Sequence, residues 1–275
     1  MTDIANAVGA ALRVVDEHHP PDSEPPLCEC GKPVESYSHG ETTRYAAHCS
    51  ECIARQDAER ERQEAEERRR EIEERWFEEA GIRPRFRDSD FEGFAPGPNG
   101  KVLTRCRAYA EIFEVGQTST GLLLHGPIGT GKTHLAVAIM RTLHLERSTE
   151  ESWDHRPSLL VNAVELVGQI IAAWKRGESD PALYRQARET QLLVLDDLGL
   201  EVDAEWAARQ LYELVNYRYE CRLPLIVTTN TAIKDLTERL GARTISRLTE
   251  MCESLKLAGK DRRVERRVRE RKDPA

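Results

Sequence analysis

The residues of this chain best suited to chemistry begin with a glycine-rich segment between an apolar run and a helical pattern. Residues 121–133 read GLLLHGPIGTGKT and contain the pattern G-x-x-x-x-G-K-[ST]. Glycines there let backbone N–H groups point inward around phosphate oxygens, in a conformation that a Cβ would obstruct. Lys132 is placed to reach the β- and γ-phosphates, and the Thr133 hydroxyl to ligate Mg²⁺. The predicted site for ATP and Mg²⁺ consists of Gly126, Pro127, Ile128, Gly129, Thr130, Gly131, Lys132 and Thr133.

Two further apolar runs end in polar side chains that suit the same chemistry. Residues 191–199 read QLLVLDDLG, and residues 225–230 read LIVTTN. Because ligands of open parallel sheets bind at the carboxyl ends of strands, we expect Asp196 to hold Mg²⁺, directly or through water. We expect Asp197 to polarise the attacking water as a general base. Asn230 is expected to orient that water or to contact the γ-phosphate.

Four of the seven cysteines form two closely spaced pairs near the N-terminus. The pairs are Cys28 with Cys30 and Cys49 with Cys52. Two turns that each present two thiolates make a tetrahedral S₄ site for Zn²⁺, and the metal would hold together a module too small for a large core. Zinc is preferred to an iron–sulfur cluster because nothing else in the sequence suggests electron transfer. His39 and His48 are spare ligands, and reduced thiols without a metal are the alternative.

The candidate residues require a sheet that brings several strand ends together. From residue 81 onward, short apolar runs alternate with helical patterns, which predicts an α/β fold with a parallel sheet covered on both faces. The predicted strands lie near residues 121–125, 158–162, 191–196, 224–229 and 254–258. The predicted helices lie near residues 101–114, 131–146, 163–174, 181–189, 204–221 and 242–251.

The segments outside this alternation differ in character. Residues 53–80 are almost all Glu, Arg, Gln and Ala, and their charge pairs predict a solvated helix rather than a strong coiled coil. Residues 4–15 predict a short amphipathic helix, either a packing element or a partner-docking helix. Residues 260–273 hold eight basic and four acidic residues, which suits either salt-sensitive contact with single-stranded DNA or a solvated helix.

Composition excludes several classes of protein. The chain has 275 residues and a formal net charge of -8, so any DNA contact must come from a local patch rather than from a basic coat. No apolar run approaches the roughly 18 residues that a membrane helix needs. The N-terminus lacks the positive start of a secretory signal. We therefore expect a cytoplasmic protein with no membrane contact, in which disulfides are disfavoured.

Taken together, the phosphate loop, the acidic pair and the polar strand end resemble AAA+ ATPases, and more narrowly their helicase-loader and IstB-like branch. The resemblance covers roughly residues 80–264. Its specific marks are GIRPRFRDSDFEGF at residues 81–94, the phosphate loop, DDLG at 196–199, TTN at 228–230 and SRL at 246–248. This branch includes the bacterial helicase loaders of the DnaC and DnaI type.

The resemblance implies a three-layer P-loop core whose five-stranded sheet has the order 5-1-4-3-2. It implies that Arg247 is an arginine finger that reaches the ATP of a neighbouring subunit, with Arg243 as the nearest rival, so the chain would self-associate through AAA+ interfaces. Residues 86–94 would pass near the adenine. One departure is Asp197, because this position in AAA+ proteins usually holds Glu. The shorter side chain predicts slow hydrolysis.

The function implied is that of a loader of the replicative hexameric DNA helicase, coupling ATP binding and slow hydrolysis to helicase and single-stranded DNA binding. The alternatives are an IstB-like transposition helper and a nucleotide-binding adaptor with little turnover. The cysteine module favours the loader, since loaders of the DnaI type have a zinc-bearing domain that grips the helicase. The expected organisation is a zinc-binding, partner-binding module at residues 1–53, a charged connecting helix at 54–80, an AAA+ domain at 81–259 and a basic tail at 260–275.

Overall fold

A computed structural model of the chain describes residues 26–39, 42–146, 158–178, 180–199 and 205–262. The chain divides into two compact units, residues 1–72 and residues 73–275, called here the N-terminal and C-terminal units. The helix predicted at residues 4–15 and the basic tail beyond residue 262 lie outside the described residues. Within the described ranges, no helix is long and apolar enough to cross a membrane.

The described part of the N-terminal unit holds a small hairpin and the start of a long helix. Strands β1 (Ser36–His39) and β2 (Thr42–Tyr45) pair antiparallel, and the sequence pattern did not predict them. Helix α1 (Ser50–Glu79) begins four residues before the connecting helix predicted at residues 54–80 and ends one residue before it. Its surface is charged, with Arg60 near both Asp57 and Glu64 at distances of 3.2 and 3.7 Å. Such exposed pairs support a solvated helix without adding much stability.

The C-terminal unit is an α/β domain built on a parallel sheet. Its strands are β3 (Gly121–His125), β4 (Ser158–Asn162), β5 (Leu192–Asp196), β6 (Leu225–Thr229) and β7 (Cys252–Lys256). Its helices are α2 (Gly100–Ile112), α3 (Lys132–Arg141), α4 (Ala163–Lys175), α5 (Ala182–Glu189), α6 (Glu205–Glu220), α7 (Ile233–Leu240) and α8 (Ala242–Met251). The spatial order β4-β5-β6-β3-β7 confirms the predicted order, which is 5-1-4-3-2 when the five strands are counted along the chain.

Burial of the sheet on both faces explains why its strands read as unbroken apolar runs. Leu122 and Leu124 pack on one face with α2 and α3, whereas Leu123 between them packs on the other face with α4 to α8. Successive side chains of a strand point to opposite faces, so both faces must be apolar. Trp76 and Phe77, near the end of α1, are buried in the first of these layers.

Three elements of the C-terminal unit differ from the sequence prediction in position, in presence or in length. Strand β7 begins and ends two residues earlier than predicted, because Cys252 pairs with Gly121 directly after α8 ends. Helix α7 was not predicted, since only Leu236 and Leu240 of its eight residues are buried and this short stripe is a weak periodic signal. Helix α3 ends at Arg141, and a π-helical turn (Thr142–Glu146) completes the segment predicted as one helix.

Candidate nucleotide-binding site

The glycine-rich loop connects β3 to α3 and has the backbone conformation that the pattern requires. Gly129 and Gly131 have φ values of 74° and 97°, in the left-handed region that disfavours residues with a Cβ. A Cβ added to Gly131 would lie 2.6 Å from the ring of Phe94, so this glycine also permits a close approach. The Nζ of Lys132 donates to the carbonyls of Gly126 and Pro127 at 2.9 and 2.8 Å. The buried ammonium therefore lies within the loop that would surround a phosphate group.

The phosphate loop meets the acidic pair through hydroxyl groups. The Thr133 Oγ1 donates to Asp196 Oδ1 at 2.8 Å, and the Thr228 Oγ1 donates to the same oxygen at 2.6 Å. Burial raises the pKa of Asp196 above its ordinary value, and the bond from Thr228 opposes that rise more than the bond from Thr133 does. A hydroxyl and a carboxylate at this distance fit a shared Mg²⁺, because oxygen ligands are what this ion prefers.

Asp197 and Asn230 lie together at the ends of neighbouring strands. The Asn230 Nδ2 donates to Asp197 Oδ1 at 3.2 Å, and the Asp197 N–H donates to Thr228 Oγ1 at 3.0 Å. Asp197 has a φ of 55°, an uncommon value for a residue with a Cβ and one that often marks functional sites. The carboxylate is thus oriented by an amide, as a group that positions a water molecule must be.

The segment predicted to pass near the adenine contacts the phosphate loop and its helix. Phe94 and His134 have ring centroids 5.5 Å apart, and the His134 Nε2 donates to the Asp90 carbonyl at 2.7 Å. The guanidinium of Arg262 lies 4.1 Å from the centroid of Phe94, while its backbone N–H donates to the Gly129 carbonyl at 3.1 Å. Arg262 was not identified as a site residue from the sequence, because it is one of many charged residues in this segment and nothing in the pattern distinguishes it from the others.

Arg247 lies on α8 and packs against its own chain. Its guanidinium carbon is 5.0 Å from the ring centroid of Tyr212 and 5.7 Å from that of Tyr219. Its Nη1 donates to the Arg243 carbonyl at 3.4 Å, and the side chain of Arg243 is exposed. A role as an arginine finger requires a neighbouring chain, so it stays a prediction.

The four cysteines of the N-terminal unit form one cluster whose sulfur atoms all lie within 4.8 Å of one another. In a tetrahedral site with Zn–S bonds of about 2.3 Å, sulfur atoms are about 3.8 Å apart, so the cluster fits zinc. The backbone N–H groups of Cys30 and then Cys49 lower the pKa of Cys28 to about 5, and hydrogen bonding to the Cys30 sulfur first of all raises the pKa of Cys52 to about 12. The cluster therefore favours one thiolate already, and a cation would supply the charge that deprotonates the rest.

Of the two spare histidines, only one can be placed near this cluster. The Nδ1 of His48 lies 3.9 Å from the Cys28 Sγ, so His48 contacts a cysteine and is not needed as a fourth ligand. The side chain of His39 lies outside the described part of the chain.

Two tryptophans on the surface of the C-terminal unit were also missed by sequence reasoning. Trp174 on α4 is 67% exposed, and its ring centroid lies 6.4 Å from that of Trp206 on α6. In the sequence each tryptophan fits an amphipathic helix, so the exposure of Trp174 and its proximity to the partly buried Trp206 become visible only in the fold. The exposed ring of Trp174 offers a flat surface for stacking.

Comparison with known proteins shows which family and which solved structures this chain resembles. The family model described as IstB-like ATP binding protein matches residues 54–270. The replicative helicase loader DnaC of Escherichia coli (strain K12) is 26% identical over 177 residues, which cover 63% of this chain and 68% of that protein. A crystal structure of the DnaC helicase loader superposes with a TM-score of 0.57 and 24% identity over 64% of this chain and all of that chain. A crystal structure of DnaI superposes with a TM-score of 0.53 and 23% identity, over 66% of this chain and 94% of that chain. These structural likenesses show a shared AAA+ fold.

Proposed function

Because the chain belongs to the family of IstB-like ATP-binding proteins, we propose that it hydrolyses ATP slowly and uses the nucleotide to load a replicative DNA helicase onto single-stranded DNA. The AAA+ fold and membership of the ATP-binding family are the starting points. ATP hydrolysis, helicase binding and DNA binding are what we propose. The observation that carries it is the meeting of Thr133, Asp196, Asp197 and Asn230 at the ends of β5 and β6 beside the phosphate loop.

Each residue of the site has a task in phosphoryl transfer to water. The loop N–H groups and Lys132 bind the phosphate oxygens, and Thr133 with Asp196 would hold Mg²⁺. The cation, when bound, neutralises charge on the β- and γ-phosphate oxygens. Asp197 orients the attacking water and accepts its proton, while Asn230 fixes the Asp197 carboxylate through their 3.2 Å hydrogen bond. The short Asp197 side chain supports slow turnover.

Self-association is the part of the proposal that Arg247 supports. A cation donated to a neighbour's nucleotide stabilises the charge that develops on the transferring phosphoryl group. Arg247 is held by the faces of Tyr212 and Tyr219 rather than by a carboxylate salt bridge in the described residues, which leaves its charge unneutralised. Hydrolysis would then depend on assembly.

Single-stranded DNA binding is supported by the exposed Trp174 and its partly buried neighbour Trp206. Bases stack on aromatic side chains regardless of sequence, and basic residues contribute salt-sensitive attraction to phosphates. Lys175, next to Trp174, is an exposed positive charge beside the pair. The basic tail is a second candidate, and it lies outside the described residues.

Helicase binding is proposed for the N-terminal unit, with Zn²⁺ holding the cysteine cluster together. The supporting observations are the fit of the four sulfur atoms to a tetrahedral site and the mixed charge of the surrounding surface, which suits a protein partner better than DNA. The relative named a replicative helicase loader supports this partner over others. The cytoplasmic location stays a prediction.

The test is a loading assay with the full chain, its cognate hexameric helicase and single-stranded DNA circles coated with single-stranded DNA-binding protein. Helicase bound to the circles is counted with and without ATP. We expect the chain and ATP together to increase loaded helicase severalfold, and Lys132→Ala to remove the increase. Equal loading with and without the chain would refute the loader function.

The family description favours a second function, that of an IstB-like transposition helper. Its partner would be a transposase, and its target duplex DNA. Copurification separates the two functions, since the loader retains helicase and the helper retains transposase. The adaptor alternative predicts that Asp197→Asn, which removes hydrolysis, leaves helicase loading unchanged.

A further inference from the structure

We propose that Thr228 is a positioning residue that fixes both members of the acidic pair with one hydroxyl group. The inference rests on the proposed ATP and Mg²⁺ site and adds to it a residue that contacts neither nucleotide nor cation. Thr228 lies on β6 and is fully buried, with 0% of its surface exposed. Its Oγ1 donates to Asp196 Oδ1 at 2.6 Å and accepts from the Asp197 N–H at 3.0 Å.

The hydrogen bonds at this position require a group that can both donate and accept, which a hydroxyl does. A threonine hydroxyl has one proton to donate and lone pairs that accept, so it can serve a carboxylate and an N–H at once. Thr133 also donates to Asp196, but Thr133 is itself a predicted Mg²⁺ ligand. Thr228 is not a predicted Mg²⁺ ligand, so its hydrogen bond can hold Asp196 whether or not the cation is bound. Groups that orient metal ligands in this way tune metal affinity.

The second bond of the hydroxyl acts on Asp197. The backbone of Asp197 is in the left-handed region, with φ at 55°, which is uncommon for a residue with a Cβ and is stabilised here by its surroundings. Thr228 accepts its N–H, and Asn230 donates to its carboxylate. Both partners come from the end of β6, so one strand end sets the backbone and the side chain of the residue that orients water.

Thr229 provides a matched control on the same strand. It is equally buried, and its Oγ1 donates to the Leu198 carbonyl at 2.7 Å and accepts from the Thr231 N–H at 3.0 Å. It therefore makes the same kind of bonds from the same strand, without touching either carboxylate. Loss of its hydroxyl tests for a general structural effect of a buried threonine.

The experiment compares Thr228→Val, Thr228→Ser and Thr229→Val in the full chain. A fluorescent, slowly hydrolysed ATP analogue is titrated in EDTA and then across a range of Mg²⁺ concentrations, and thermal unfolding checks the fold. For Thr228→Val we expect nucleotide affinity in EDTA within about twofold of wild type, and Mg²⁺ affinity lower by about 10- to 100-fold. For Thr228→Ser we expect Mg²⁺ affinity within about threefold of wild type, because serine keeps the hydroxyl. Thr229→Val should also retain the Mg²⁺ affinity of wild type.

A second readout does not depend on the nucleotide. Amide hydrogen exchange at Asp197 is expected to be faster in Thr228→Val and unchanged in Thr228→Ser, since only the first removes the acceptor of that N–H. A Thr228→Val chain with wild-type Mg²⁺ response overturns the inference, as does a folded Thr228→Ser chain that loses the response. A wild-type chain that binds no nucleotide overturns the proposed function as well, which separates the two failures.

Discussion

At the scale of single residues, Lys132 carries the positive charge of the phosphate loop. Its ammonium is buried and donates to the Gly126 and Pro127 carbonyls, so the charge is held where phosphate oxygens would lie. Hydrogen bonds to charged groups contribute about 1.5–3 kcal/mol, which corresponds to roughly 10- to 150-fold in affinity. Lys132→Ala should lower ATP affinity by at least that factor in a fluorescence titration.

The control for this change is Lys101→Ala, which removes an exposed lysine from α2. It should leave ATP affinity unchanged, because exposed charges away from the site contribute little to binding. ATP binding that is equally tight in Lys132→Ala and wild type would contradict the assignment of the phosphate loop.

At the scale of elements, Arg218 of α6 joins the ends of a helix and two strands. Its side chain is fully buried and its two terminal nitrogens donate to four carbonyls, two of them in the last turn of α5, one at Thr190 just after that helix and one just before β6. Burial lowers the pKa of Arg218 to about 10, so the guanidinium stays charged at neutral pH. Arg218→Met should lower the free energy of unfolding by about 3–5 kcal/mol in urea titrations, because buried carbonyls lose their donors.

A matched change at Arg209, also on α6 but exposed, should cost little. If Arg209→Met and Arg218→Met unfold at the same urea concentration, the carbonyl contacts do not stabilise the domain. Nucleotide affinity of the folded Arg218→Met chain should be normal, since none of its contacts reach the phosphate loop.

The cysteine cluster is the element of the N-terminal unit that a metal would stabilise. Four sulfur atoms within 4.8 Å predict one Zn²⁺ per chain in atomic emission analysis of the purified protein. Replacing Cys49 and Cys52 together by Ser should remove the metal, because two remaining thiolates cannot complete a structural site. Cys221→Ser, which changes an exposed cysteine elsewhere, should keep the full stoichiometry. Metal-free wild-type protein would end the zinc proposal.

At the scale of the whole molecule, the elements that can be predicted best from the sequence are those whose residues are buried on both faces. Strands such as β3 and β4 could be predicted to the residue, because burial on both faces makes the middle of each strand an unbroken apolar run, bounded by glycine or polar residues. The short helix α7 and the hairpin β1–β2 lack such a signal, and they were missed.

The site residues also divide into those that the sequence predicts and those that it does not. Glycines, Lys132 and the acidic pair stand in patterns that reflect the chemistry of phosphates. Thr228 and Arg218 do not, because their importance comes from partners distant in sequence, such as Asp196 and Pro224, that only the folded sheet brings close.

Assembly is the level at which Arg247 is proposed to act, and mixing two inactive variants tests that proposal. An Arg247→Ala chain keeps an intact nucleotide site but supplies no finger, whereas a Lys132→Ala chain supplies the finger but binds no ATP. Each alone should hydrolyse ATP at least about 10²-fold more slowly than the assembled wild-type chain, given what an arginine finger contributes. Mixed at equal concentration, they should recover a measurable part of the wild-type rate in a phosphate-release assay, because a contact in which the Arg247→Ala chain supplies the site and the Lys132→Ala chain supplies the finger is intact. Arg243→Ala in place of Arg247→Ala is the control, and a mixture as inactive as its parts would show that Arg247 does not act across an interface.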